Sequence, residues 1–374
     1  MINSKMRVLF LVNIPSPYRI DFFNELGKLC ELTVLFERKV SDERDKSWYN
    51  NNFKNFKSIF LKGIRINKNT ALCTGISKYL KRDLYDIFVV GGYSTPTGML
   101  AIEMLRSRKI PFVLNSDGGL IKSDNKYKYI LKKHFVSSAS YWLSTGRNTT
   151  EYLVNYGARR ENILNYPFTS ISDKDIVSSP VRKNIKSEIK SKLSIKEGKV
   201  ILSIGQFIER KGFDVLIRAS KNLPEDCGVY FIGGEPTQDY LNLKKELNLT
   251  NIHFIGFKSK QELKEYYMAS DLFVLPTRED IWGLVINEAL AHGLPVITTN
   301  NCVAGLELVE DYLNGFIVPV NDSYSLSMRM NEVLENEVLI EEMSKNSLDK
   351  IQRYTIEKMA QEHIKIFNDI LLKH

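Results

Sequence analysis

With 374 residues, 43% hydrophobic and 26% charged, the chain is long enough for two cores and excludes a disordered, collagenous or disulfide-stapled protein. Its net charge of +8 is divided unevenly, with 27 Lys+Arg against 14 Asp+Glu in residues 1–170 and 25 against 30 beyond them. So basic a front half is expected to meet something anionic (nucleic acid, lipid headgroups or a phosphorylated acceptor), the plainer alternative being a lysine surface that only confers solubility.

In chain order, short apolar runs alternate with amphipathic segments, the rhythm of an α/β protein with mainly parallel strands. In the front half, Arg7–Val12, Leu32–Phe36, Ile87–Val90, Phe112–Asn115 and Tyr141–Ser144 read as strands. Helical periodicity runs over Arg19–Leu29, Gly98–Arg106, Tyr127–Ser137 and Asn148–Tyr156. Tyr166–Pro180, with two prolines and several Ser and Asp residues, reads as a link. Beyond it, Val200–Ile204, Val229–Ile232, Ile252–Ile255, Leu272–Leu275 and Pro295–Thr298 continue as strands. No charged-then-apolar leader precedes the first strand, and no run approaches the ~18 apolar residues that span a bilayer, so a cytosolic protein is expected. Cys30, Cys73, Cys227 and Cys302 are widely separated, and buried free thiols are expected rather than a metal site.

Parallel sheets bind ligands beyond the carboxyl ends of their strands, so chemistry is expected in the loops there. The richest is Pro276–Ile297, PTREDIWGLVINEALAHGLPVI. A turn after the strand carries Asp280, and a helix starting at Gly283–Leu284 places Glu288 two turns in. Backbone N–H groups entering a helix suit an anion or a hydroxyl-rich sugar, and a carboxylate at each end accepts hydrogen bonds from sugar and ribose hydroxyls. A Rossmann loop with acidic surface residues is the plainer alternative.

This segment resembles the signature of the family 4 (GT4-like) retaining glycosyltransferases of the GT-B fold: a Glu, seven residues, a second Glu, then A-x-A-x-G-x-P-V-I. The resemblance implies an α/β protein of two Rossmann-like domains whose parallel sheets face across a cleft. Residues 1–170 would form an acceptor domain, to which a C-terminal helix at about 354–374 returns, and residues 171–353 a nucleotide-sugar donor domain. It implies that Asp280 meets the transferred sugar and Glu288 the nucleotide ribose. Asp280 stands where the family has Glu, one methylene shorter, with Glu279 beside it.

A second segment, Ser203–Ile217 (SIGQFIERKGFDVLI), places a basic pair at a helix entrance. Lys211, aided by Arg210, suits the charge that develops on a departing nucleoside diphosphate. Gln206 stands where the family has Arg and would supply only a hydrogen bond. On the same pattern Gly233 and Gly234 form the nucleotide loop, the main chain near Phe257 holds the base, and Ile281, Trp282, Gly283 and Leu284 complete the donor loop. In the front half, Pro17, Tyr18 and Arg19 of NIPSPYR would face the donor phosphates and the acceptor, with capping and packing as the equal alternative. Asp117 in NSDGG occupies the place of a donor-facing His in many relatives and is a further catalytic candidate, a turn-forming Asp-Gly being as good an account. The five histidines form no cluster, and His292 is expected to pack or cap.

Asp173-Lys174-Asp175 matches the D-x-D by which other glycosyltransferases hold a divalent metal, but it lies in the link, outside any strand–helix frame. Neither metal nor cofactor is expected. Lys122–Phe135 puts Tyr127, Ile130, Leu131 and Phe135 on one helical face, flanked by Lys126, Lys132 and Lys133. That suits an anionic membrane surface, or alternatively a core-packed stripe with a solvated lysine face. The resemblance thus leads to a metal-independent retaining enzyme that transfers a sugar from a nucleotide-sugar, taken as a UDP-sugar, to a glycan or polyprenyl-linked acceptor. Synthesis of a bacterial-type surface polysaccharide is the expected setting, in the cytoplasm or on the inner face of the membrane and without a nucleic-acid partner. A non-catalytic nucleotide-sugar-binding protein, or an epimerase or phosphorylase of the same fold, is the alternative.

Overall fold

Strands covered on both faces are apolar throughout, and β1 (Arg7–Val12) buries every residue after its first. The computed structural model describes residues 5–39, 52–67 and 70–373. The chain divides into two units, Met1–Ser170 with Thr355–His374, and Ile171–Tyr354.

In the first unit β1 leads into α1 (Pro17–Leu29), whose proline opens the helix where no N–H partner is needed. There follow β2 (Glu31–Phe36), β3 (Lys57–Phe60), the small hairpin β4 (Ile64–Arg65) and β5 (Ala71–Leu72), and β6 (Ile87–Val90). Then come α2 (Pro96–Ser107), β7 (Val113–Asn115), α3 (Lys126–Val136), β8 (Tyr141–Ser144), α4 (Arg147–Asn155) and β9 (Ile163–Asn165). The parallel sheet runs β3-β2-β1-β6-β7-β8-β9. Its strand order reverses between β1 and β6, the point at which an open α/β sheet forms its ligand crevice.

The second unit repeats the plan. It contains α5 (Lys183–Lys192), β10 (Lys199–Ile204), α6 (Phe213–Ala219), β11 (Cys227–Ile232), α7 (Gln238–Glu246), β12 (Ile252–Ile255) and α8 (Lys260–Ala269). It continues through β13 (Leu272–Leu275), α9 (Leu284–Ala291), β14 (Val296–Thr299), α10 (Val303–Leu308), β15 (Gly315–Val318), α11 (Ser323–Leu334) and α12 (Glu337–Ile351). The parallel order is β12-β11-β10-β13-β14-β15, reversing between β10 and β13. The last helix, α13 (Ile356–Leu372), returns to the first unit, where its Phe367 and His363 lie against Phe10 and Phe22.

Five strands carry little periodic signal: β3 is half-exposed, β4 and β5 are two residues long and β9 three, and β15 begins with a glycine. Gly315 is required there, since a Cβ would lie 1.8 Å from the Val296 carbonyl oxygen. The stripe on α3 divides. Phe135 and Val136 enter the core, whereas Tyr127, Ile130 and Leu131 are 86%, 53% and 49% exposed, so core packing accounts only for its last turn. All four cysteines are buried free thiols. Among the described residues, no helix is long and apolar enough to cross a membrane.

Candidate active site

The loops that leave β10 and β13 are sewn together, because their strands are neighbours at the order reversal. Arg278 N–H and the Thr277 hydroxyl both donate to the Arg210 carbonyl, at 2.8 and 2.9 Å. Gly212 permits this approach: it is left-handed at φ +66°, and a Cβ would sit 2.1 Å from the Pro276 carbonyl oxygen. The result places Lys211 Nζ 2.6 Å from Asp280 Oδ2, the two side chains only 12% and 14% exposed. Arg210 donates to the Glu279 carbonyl at 2.6 Å and stands 3.6 Å from Asp280 Oδ1. The Asp280 backbone is pinned in turn, donating to the Asn301 carbonyl and accepting from Val303 N–H.

Gly283 opens α9 in the left-handed region at φ +102°, with Cys302 Sγ 3.0 Å from where a Cβ would lie. Burial pushes that thiol up to about 12, so it stays protonated. The remaining predicted donor residues divide by exposure. Ile281 and Gln206 are exposed and Leu284 half-buried, while Trp282 turns inward and donates from its indole to Asn287 Oδ1 at 2.9 Å. Glu288 is half-buried on α9 and accepts from the Tyr267 hydroxyl, a partner the sequence reading missed. Its one available signal was a polar aromatic at a buried helical position. Gly233 lies against Gly205, whose carbonyl oxygen would be 2.1 Å from an added Cβ, whereas Gly234 faces open space; Phe257 is exposed beyond β12. Every predicted donor residue thus lies at the carboxyl end of β10, β11, β12 or β13, or in the loop and helix that follow it.

In the first unit two of the candidate residues meet. Arg19, in the first turn of α1, pairs with Asp117 in the loop after β7. Asp117 also accepts from Asn115 Nδ2 at 2.8 Å and the Tyr166 hydroxyl at 3.0 Å, and Arg19 Nε donates to the Tyr18 hydroxyl at 3.3 Å. Burial works against the Arg19 charge, but the Asp117 carboxylate together with the Tyr18 and Tyr166 hydroxyls outweighs it and the pKa is raised. Pro17 supplies the first residue of α1. In the link, Asp175 accepts from Ser172 N–H at 3.2 Å and pairs with Lys260 at 2.8 Å, so this carboxylate serves as a helix cap and in an ion pair. His292 packs, its ring stacked on Tyr267.

Residues 184–350 match the family described as Glycosyl transferases group 1. An uncharacterized glycosyltransferase of Haemophilus influenzae is 33% identical over 180 residues, covering 46% of this chain and 50% of that protein. The chain thus spans about half the length of the relatives it matches at this level. A Campylobacter jejuni protein named N,N'-diacetylbacillosaminyl-diphospho-undecaprenol alpha-1,3-N-acetylgalactosaminyltransferase is 22% identical over 79% of this chain and 80% of its own. Among solved structures, Anabaena HepE in complex with UDP-glucose shares the fold, with a TM-score of 0.73 at 18% identity over 99% of this chain and 100% of that one. Over residues 184–350 this chain is thus similar to the group 1, GT4-like glycosyltransferases, and its two parallel-sheet units carry the GT-B fold.

Proposed function

We propose that the chain is a retaining glycosyltransferase that moves a sugar from a UDP-sugar to a glycan or polyprenyl-linked acceptor without a metal ion. The observation that carries this reading is the Lys211–Asp280 pair at the strand-order reversal of the second unit, with Glu288 farther along α9. In this reading the donor diphosphate lies against Lys211 and Arg210, Asp280 accepts hydrogen bonds from the transferred sugar, and Glu288 accepts them from the ribose. Gly233 and Gly234 admit the nucleotide close to the backbone, and the main chain near Phe257 holds the base. The bond from the anomeric carbon to the β-phosphate oxygen breaks, and its electron pair leaves on the diphosphate. The acceptor oxygen bonds to that carbon on the same face, and its proton passes to the departing phosphate. Lys211 stabilises the charge that develops there, in place of a divalent ion. On the acceptor side stand Pro17, Tyr18 and Arg19, with Asp117 fixing the direction of the Arg19 guanidinium.

The UDP choice is supported by HepE, which binds UDP-glucose, and the lipid-linked acceptor by the name of the Campylobacter jejuni relative. The exposed Tyr127, Ile130 and Leu131 beside lysines support contact between α3 and an anionic membrane surface, on the inner face of a cytoplasmic membrane. Thermal melting with UDP, GDP, ADP and their sugar conjugates tests the reading. A rise selective for uridine compounds and indifferent to EDTA is expected. Lys211→Ala should remove that rise and cut turnover by at least about a hundredfold. Full turnover in Lys211→Ala would overturn its role, loss of the rise on adding EDTA would overturn metal independence, and no rise with any nucleotide would overturn nucleotide-sugar binding itself.

A further inference from the structure

Tyr267, near the end of α8, is 2% exposed, and its hydroxyl donates to Glu288 Oε2 at 2.9 Å. Its ring stacks on the imidazole of His292, the centroids 4.9 Å apart and the planes 8° from parallel. His292 Nδ1 stands 2.7 Å from the carbonyl oxygen of Glu288. A carbonyl can only accept, so Nδ1 carries the hydrogen. The other nitrogen, Nε2, is buried without a partner, and burial lowers the pKa of the ring and keeps it neutral. One residue of α9 is therefore gripped twice: its carboxylate by Tyr267, and its backbone by the histidine that backs Tyr267.

We infer that Tyr267, held by the His292 ring, is the positioning residue for Glu288, fixing its carboxylate to accept the hydroxyls of the donor ribose. The inference rests on the reading of Glu288 as the ribose contact. The physical reason is preorganisation. A glutamate on a helix surface samples several rotamers, and each must be given up when a ligand binds; a carboxylate already held loses less. The tyrosine suits this role because it has one hydrogen to give and retains it. Burial, reinforced by the adjacent carboxylate, pushes its pKa well above the usual tyrosine value. A tyrosine that merely filled the core would contribute to stability and leave ribose recognition untouched.

Tyr267→Phe keeps the ring and its stack and removes only the hydroxyl. Calorimetry on the full chain compares UDP with 2′,3′-dideoxy-UDP, which lacks both hydroxyls that Glu288 would hold. Wild-type protein is expected to prefer UDP by at least about tenfold, and Tyr267→Phe to show a preference of about threefold or less at an unchanged melting temperature. In turnover the donor KM rises while kcat stays near the wild-type value. His292→Leu, which removes the stack and leaves the hydroxyl, should fall between the two. Full ribose preference in both variants overturns the inference alone. Equal binding of the two nucleotides by wild-type protein overturns the ribose role of Glu288, and the inference with it.

Discussion

Glu37 follows β2 and is buried, with Oε1 accepting from the Thr95 hydroxyl at 2.6 Å and Oε2 shielded from solvent without a partner. Burial raises its pKa from 4.5 to about 7, against the pull of Thr95 and Arg38. The folded state thus holds this proton over a range in which the unfolded chain has released it. Its contribution is fully present below the ordinary value of 4.5 and is lost as pH rises through about 7. Glu37→Gln, which cannot ionise, should therefore gain on wild-type protein by on the order of 2–3 kcal/mol between pH 5 and pH 8, read from denaturant melts at both values. A difference that does not change with pH would show that the carboxyl is ionised in the folded protein. Arg19, Asp117, Lys211 and Asp280 pose another question at this scale. Removing one partner of a half-buried ion pair strands the other charge, so each single substitution is expected to cost more than the pair contributes.

Among the elements, α3 shows best how composition and placement differ. Asn125 caps it, accepting from Lys128 N–H, and Phe135 with Val136 fastens its last turn to the core. Lys132 does not flank a lipid-facing stripe: it pairs with Asp124 at 2.7 Å and lies over the Tyr156 ring, anchoring the helix to its own unit. The exposed group that remains is Tyr127, Ile130 and Leu131, beside Lys126 and Lys133. Because these apolar side chains bury little, Tyr127→Ser with Ile130→Ser should leave the melting temperature unchanged. The same pair should lower binding to phosphatidylglycerol-containing vesicles by at least about tenfold, since each side chain buried in lipid contributes roughly 1.5–3 kcal/mol. Equal sedimentation of variant and wild-type protein with such vesicles would exclude α3 as the contact.

On the scale of the whole molecule, the two units share one device. Each parallel sheet reverses its strand order once, and each carries a cation–carboxylate pair beyond the carboxyl ends of its strands: Arg19 with Asp117 in one, Lys211 with Asp280 in the other. Burying such pairs adds little stability. The units are unequal in how their cores close. The first needs α13, which covers Phe10 and Phe22 from the far end of the chain, whereas the second is complete within Ile171–Tyr354. Deleting residues 355–374 should therefore unfold the first unit and leave the second with its response to nucleotide, as followed by calorimetry with and without UDP. Loss of both together would show that the second unit depends on the first.

The sequence by itself determined the α/β alternation, ten of the strands, and the two loops at Ser203–Ile217 and Pro276–Ile297 that carry the donor candidates. These are local properties: a buried parallel strand is an apolar run, and a helix entrance declares itself through glycine, proline and periodicity within about ten residues. Short or half-exposed strands such as β3 and β9 escape such a window because little in them must be apolar. Tertiary structure alone decided the partners. Arg19 meets Asp117 across 98 residues and Lys211 meets Asp280 across 69, because strand order, which no local pattern encodes, sets which loops are neighbours. It decided equally that Tyr267 holds Glu288, that Asp175 serves a cap and a lysine, and that Tyr127 faces solvent while Phe135 does not. A periodic stripe states that a helix has an apolar face, and only the packing of its neighbours settles how much of that face is covered.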